Sequence, residues 1–305
     1  MAFEVITGID LLEILQDLRE TAPPVIESFF RFVSDPIIYQ YLPIAIAAFL
    51  LWFVDRRKGD LMLLNIIVAV DLARMVKNVV KQPRPWKLDP SLEDVSDSAH
   101  AGGYSFPSGH ATAATAGYGS LAMVCGSRPW AILFAFLAAT IVLSRLYLGA
   151  HTPIDVIAGV MLALSIIYVN GRISAWAERS DDNYRKASYG YMLFLLPVCI
   201  AMVCLADRSS GTDALAFALT YGFLAGRHLE RFRYRCPEIV CGMPRRILLF
   251  VFGMVPAGLC LLLLPMLLGH VPGYAVSGAF TGLWVTLLYP LVMRRVLVPT
   301  GAIPP

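Results

Sequence analysis

The chain has 305 residues, of which 57% are hydrophobic and 15% charged, with a formal net charge of +3 and a mean hydropathy of +0.65. A water-soluble domain averages about 45–50% apolar and about 25% charged residues. The composition therefore excludes an ordinary cytoplasmic enzyme, a disordered chain and a nucleic-acid-binding domain, and it predicts a polytopic, all-α membrane helix bundle.

In chain order, the N-terminal twenty residues lack a basic start followed by an apolar core, so no cleavable signal is predicted there. Residues 8–33 form an amphipathic stretch broken at Pro23-Pro24. Phe29, Phe30 and Phe32 beside Glu27 and Arg31 suit a helix lying in the membrane interface. Nine apolar segments follow, at roughly 37–54, 60–80, 108–125, 129–146, 152–171, 187–206, 211–227, 246–269 and 272–293. Each approaches the length of about 20 residues that crosses a bilayer, the seventh being the shortest. Three regions are thus expected: an interfacial segment over 1–36, six spans over 37–206, and three more over 207–305.

Nine crossings put sixteen of the 25 Lys and Arg residues on one side, including Arg56, Arg57, Lys58 and the six arginines between Arg227 and Arg246. Eight, among them Lys81, Arg84, Lys87 and Arg208, fall on the other, and Arg74 lies within the second span. The positive-inside rule makes the first side cytoplasmic, with the N-terminus and the 81–107 loop outside. The six cysteines lie mostly in apolar runs and are expected as free thiols; Cys236 and Cys241 share a polar loop without a zinc-spaced partner.

Three polar clusters stand out, because charge near a membrane span is costly and invites a functional reading. Asp71, Arg74, Lys77 and Lys81 share one helical face, although an internal ion-pair ladder or snorkelling explains them too. Phe106-Pro107-Ser108-Gly109-His110 opens the third span. Ser108 is placed as an N-cap, and the free N–H groups of such a helix start attract anions. Ser144-Arg145 closes the fourth span, followed by His151 and Asp155. Thr152-Pro153-Ile154-Asp155 reads as a cap with a capping-box acid, yet Asp155 is also placed to orient the imidazole of His151. The nine-span layout brings all three clusters to one extracytoplasmic level. Their inventory suits stabilising a phosphoryl group and passing it to a histidine.

These motifs resemble those of the type 2 phosphatidic acid phosphatase superfamily. Lys77, six residues, then Arg84-Pro85 is similar to its first motif, Pro107-Ser108-Gly109-His110 to its second, and Ser144-Arg145 with His151 and Asp155 to its third. The resemblance implies a six-helix phosphatase core over 37–206 with three further spans. It implies that His151 attacks phosphorus, that Asp155 holds its tautomer, and that His110 protonates the leaving oxygen and then activates water. Lys77, Arg84, Ser108, Gly109 and Arg145 would hold the phosphate, with no metal or other cofactor. The acidic residues Asp89, Glu93, Asp94 and Asp97 read as a solvated loop.

A nine-span layout with the N-terminus outside is similar to the glucose-6-phosphatase and sphingosine-1-phosphate phosphatase branches. The implied substrate is a phosphorylated lipid: undecaprenyl diphosphate, phosphatidylglycerophosphate, phosphatidic acid or a sphingoid-base phosphate. The implied setting is a plasma or inner membrane, or the endoplasmic reticulum of a eukaryote. Trp86 and the 87–105 loop lie where a headgroup would be selected. The alternatives are a phosphatase of a soluble sugar phosphate, a non-catalytic lipid transporter or homologue, and a haloperoxidase. The sequence does not specify the oligomeric state.

Overall fold

In the computed structural model, residues 8–95, 99, 101–205, 211–236 and 241–297 are described, and every regular element among them is helical. Arg208 and Asp97 lie outside the described residues. The amphipathic stretch forms two helices, α1 (Ile9–Thr21) and α2 (Pro24–Val33). The break has a steric cause. Pro23 drives Ala22 out of the helical region (ψ 152°), and Pro24 takes the first position of α2, where its missing N–H costs nothing.

A π-turn at Ile37–Tyr41 leads into α3 (Leu42–Phe53), followed by α4 (Arg56–Val80) and a single helical turn at Pro85–Leu88. Then come α5 (Gly109–Val124), α6 (Arg128–Tyr147), α7 (Pro153–Ala177), α8 (Asp181–Cys204) and α9 (Gly211–Leu229). The chain ends with α10 (Met243–Leu268), α11 (His270–Leu283), a π-turn at Trp284–Leu288, and α12 (Tyr289–Leu297).

The structure holds an integral-membrane protein. Among the described residues, four helices are long and apolar enough to cross a bilayer: α6, α7, α10 and the continuous run His270–Arg295. A fifth crossing arises if α2 and the helix over Ile37–Phe53, bent by 40° at their break, count as one span. The latter pairing differs from the expectation that all of 8–33 lies in the interface. The other candidate segments, now α4, α5, α8 and α9, are helices without that combination of length and apolarity. The reason is visible in their sequences. α4 carries Asp71, Arg74 and Lys77, and α5 has only 16 residues, mostly small or polar. All six cysteines are thiols outside any disulfide, as expected.

The chain divides into two compact units, residues 1–46 with 62–170, and 47–61 with 171–305. In the first unit α5 is the central helix. Ala111, Ala113, Ala114, Ala116 and Ser120 are buried along it, and small residues let neighbouring helices approach closely. A Cβ added to Gly117 would lie 2.6 Å from Pro43 Cβ, and one added to Gly159 of α7 would lie 2.7 Å from the Ser108 carbonyl oxygen. Tyr118 donates to the Ile38 carbonyl (2.6 Å) and Asn65 to Ser120 Oγ (2.9 Å), so α5 is tied to the π-turn and to α4.

In the second unit α9 and α11 pack backbone to backbone, since a Cβ on Gly222 would meet Ala279 O at 2.4 Å. Arg227 pairs with Asp60 (2.5 Å) and Arg231 with Glu178 (3.2 Å). The Trp52 indole donates to Val285 O (2.8 Å).

Candidate active site

All the site residues expected from the sequence lie in the first unit. Arg84 follows α4 on the loop, just before the turn at Pro85. Its guanidinium is buried and saturated with acceptors. It donates to Gly103 O (3.0 Å), Ala150 O (2.9 Å) and Gly102 O, and its Nη1 lies 2.9 Å from His151 Nε2. Burial pulls its pKa down to about 10. A guanidinium has donors only, so His151 Nε2 must be the acceptor and carry the lone pair. The imidazole proton then sits on Nδ1.

That proton faces Ser105 and Asp155. Ser105 Oγ lies 3.3 Å from His151 Nδ1 and donates to Asp155 Oδ2 at 2.6 Å. Asp155 Oδ2 is 3.6 Å from Nδ1, beyond hydrogen-bond reach, so the serine hydroxyl bridges base and carboxylate. The same oxygen accepts from Thr152 N (2.9 Å). Asp155 is therefore both the capping-box acid of α7 and the partner of His151, and the two sequence readings hold together. His151 and Asp155 are at most 1% exposed. Burial, followed by the charges of Arg84, Lys77 and Arg145, holds the His151 pKa well below the ordinary imidazole value, so the ring is neutral and nucleophilic.

The helix start expected at Ser108 is present. Its side chain accepts from Ala111 N (3.4 Å), and its own N–H donates to Asp155 O (2.9 Å), which ties the start of α5 to the start of α7. Lys77, from the last turn of α4, lies over this start, with Cε 3.7 Å from where a Cβ on Gly109 would be. Its ammonium donates to Tyr104 O (2.8 Å) and Ser105 O (3.1 Å). Arg145 is fully buried, donating to Ser34 Oγ (3.1 Å) and Ala99 O (2.8 Å), while its Nε has no partner among the described residues. His110 Nε2 is likewise buried without a partner, and its ring lies 3.9 Å from the Tyr39 ring, centroid to centroid.

Three contributors escaped the sequence reading. Ser105 sits beside a motif but belongs to no periodic pattern. Ser34 and Tyr39 are some 70 to 110 residues from their partners, and no local signal marks them. Trp86, placed by sequence where a headgroup would be selected, is instead buried in an apolar cluster with Leu12, Leu92 and Tyr147. The acidic loop uses Asp89 to bind Ser91 N (2.8 Å) and Glu93 to bind Arg19 (2.6 Å).

A buried imidazole nitrogen beside a buried guanidinium, with further cations in the same unit, is an arrangement that suits an oxyanion. The comparison with known proteins agrees. Residues 61–179, which contain every one of these motif residues, match the PAP2 superfamily. An undecaprenyl-diphosphatase of Sulfolobus acidocaldarius is 31% identical over 145 residues, 45% of this chain and 65% of that protein. YbjG of Escherichia coli is 27% identical over 197 residues, 63% of this chain and 94% of that one. A mouse sphingosine-1-phosphate phosphatase 2 is 28% identical over 180 residues, 57% of this chain and 47% of that one. No solved structure matches the chain significantly.

Proposed function

We propose that this protein is a metal-independent lipid phosphate or lipid diphosphate phosphatase working through a phosphohistidine. The observation that carries the reading is the chain Arg84–His151–Ser105–Asp155, with the lone pair of Nε2 directed at a guanidinium and the Nδ1 proton directed at the hydroxyl of Ser105, which donates to a carboxylate. The superfamily match and the names of the relatives support the substrate class.

In the first step Arg84 exchanges Nε2 of His151 for an oxygen of the bound phosphate, which frees the lone pair to attack phosphorus. The P–O bond to the lipid breaks as the P–N bond forms, and His110 gives its proton to the departing oxygen. The imidazolium is then balanced by Asp155 through Ser105. In the second step His110 takes a proton from water, the hydroxide attacks phosphorus, the P–N bond breaks, and inorganic phosphate leaves. Lys77, Arg84 and Arg145, with the first-turn N–H groups after Ser108, meet the charge of the equatorial oxygens, the role a metal ion has in other phosphoryl transfers.

The charge distribution supports an extracytoplasmic site, a cytoplasmic C-terminus and nine crossings, and the family resemblance supports a phosphatase core over 37–206 between the flanking regions 1–36 and 207–305. Phosphate release in detergent with EDTA tests the reading. The substrates are undecaprenyl diphosphate, phosphatidylglycerophosphate, phosphatidic acid, sphingosine 1-phosphate and glucose 6-phosphate, and His151→Ala is the control. Release that needs His151 is expected from at least one lipid. Preference for glucose 6-phosphate without competition from lipids would move the substrate to a soluble sugar phosphate. Release unaffected by His151→Ala would remove that residue as the nucleophile, and no release from any of them would favour a non-catalytic homologue.

A further inference from the structure

We propose that α1 is a strap that fastens the loop after Arg84 onto the site, with Arg19 as its positioning residue. The inference rests on the phosphatase reading for its functional consequence, but its structural basis is separate.

The cations of the site are held by backbone carbonyls rather than by carboxylates. Arg84 leans on Gly102, Gly103 and Ala150, Arg145 on Ala99, and Lys77 on Tyr104 and Ser105. Ala150 apart, these carbonyls belong to the loop after Arg84, so the positions of the cations depend on how that loop is held. Among the described residues the loop has one short helical turn, so other elements must hold it. α1 does so at both ends of its length. Leu12 is 1% exposed and sits in the apolar cluster with Trp86, Leu92, Val95, Ala99 and Ala101. Gln16 accepts from Glu93 N (2.9 Å) and Ser91 Oγ donates to Glu13 (3.0 Å).

Arg19 makes the decisive link. It is buried although it lies in the last turn of a peripheral helix, and it donates to Tyr147 O (3.2 Å) and to Glu93 Oε2 (2.6 Å). One guanidinium thus clamps the loop to the end of α6, two residues beyond Arg145. Its Nη1 also passes over Gly149, 3.6 Å from where a Cβ would be. The next residue, Ala150, supplies a carbonyl to Arg84.

The opposite face of α1 presents Leu11, Ile14 and Leu18, all exposed and spaced three and four residues apart. That stripe fits the acyl boundary of the membrane, which would press the strap onto the loop.

The test uses the full chain in detergent, with Arg19→Gln, Arg19→Lys and Glu93→Gln. Hydrogen exchange is read at the amides of 101–105, including Ser105 N, which donates to Gln82 O at 2.8 Å. Binding of orthovanadate is read alongside. Arg19→Gln is expected to speed exchange at these amides about tenfold or more, the worth of a charge-assisted hydrogen bond, and to weaken vanadate binding, with the thermal midpoint of the bundle little changed. Arg19→Lys, which keeps the charge but cannot span both partners, is expected to fall between. Glu93→Gln gives the same test in an exposed residue if Arg19→Gln fails to fold. Unchanged exchange and vanadate affinity in the variants would overturn the strap. Arg19-dependent exchange in a protein that releases no phosphate would sink the phosphatase reading and leave the strap standing.

Discussion

Asp155 holds two jobs with one oxygen, and this decides how its replacement should be read. Oδ2 accepts from Thr152 N and from Ser105 Oγ. Asparagine keeps the shape and one acceptor for the cap but removes the charge that balances an imidazolium. Asp155→Asn is expected to lower kcat by about two orders of magnitude or more with a small loss of thermal midpoint. Loss of stability with unchanged kcat would reduce Asp155 to a cap. The pH dependence belongs to the same scale. His151 is kept neutral by burial and by the neighbouring cations. In the free enzyme its protonation, which abolishes attack, should occur well below the usual value of about 6.5, and so should the acid limb of kcat/KM. Removing a nearby positive charge makes protonation easier, so Arg84→Gln should move that limb to higher pH in the residual activity. A limb that stays in place would show that another group titrates. Lys77, Arg84, Ser108, Gly109, His110, Arg145, His151 and Asp155 could be proposed from the sequence because they fall in or beside helix ends at motif spacing. Ser105, Ser34 and Tyr39 could not, because their roles come only from distant partners.

At the scale of elements, the site depends on how closely two helix starts can meet. Ser108 N donates to Asp155 O, and Gly159 lets α7 close on α5. A Cβ at Gly159 would meet Ser108 O at 2.7 Å and Thr112 Oγ1 at 2.9 Å, both fixed by their own bonds. Gly159→Ala should therefore destabilise the protein by about 1–3 kcal/mol, the usual cost of overpacking, and depress turnover through the displaced helix start. Gly190→Ala in α8, where a Cβ meets nothing within 4 Å, should leave the thermal midpoint level or slightly raised. Equal midpoints for the two variants in detergent would contradict this account. Helix existence was readable from apolar runs, caps and prolines: the break at Pro23-Pro24 and the starts at Ser108 and Pro153 fall where the sequence puts them. The pairing of α2 with the helix after it was not, since the bend depends on what α2 packs against.

For the whole molecule, orientation is the open physical consequence of the charge asymmetry. If the basic loops are cytoplasmic, Ser91→Cys placed in a variant with the six native cysteines changed to serine should react in intact cells with a membrane-impermeant maleimide, and Arg245→Cys in the same background should react only after permeabilisation. The reverse pattern would place the site on the cytoplasmic side. Composition and the length of the apolar runs determined that the chain is helical and membrane-embedded, because runs of about 20 apolar residues satisfy their backbone in a bilayer as helices, whereas barrel strands are shorter and alternate. Motif spacing singled out the side chains proposed to carry the chemistry, because it resembles the motif spacing of a known superfamily. Only the tertiary structure decided that a serine bridges His151 to Asp155, that Arg84 covers the nucleophilic nitrogen, and that α1 holds the loop. Those contacts join residues far apart in the chain, and their partners are selected by packing rather than by any local pattern.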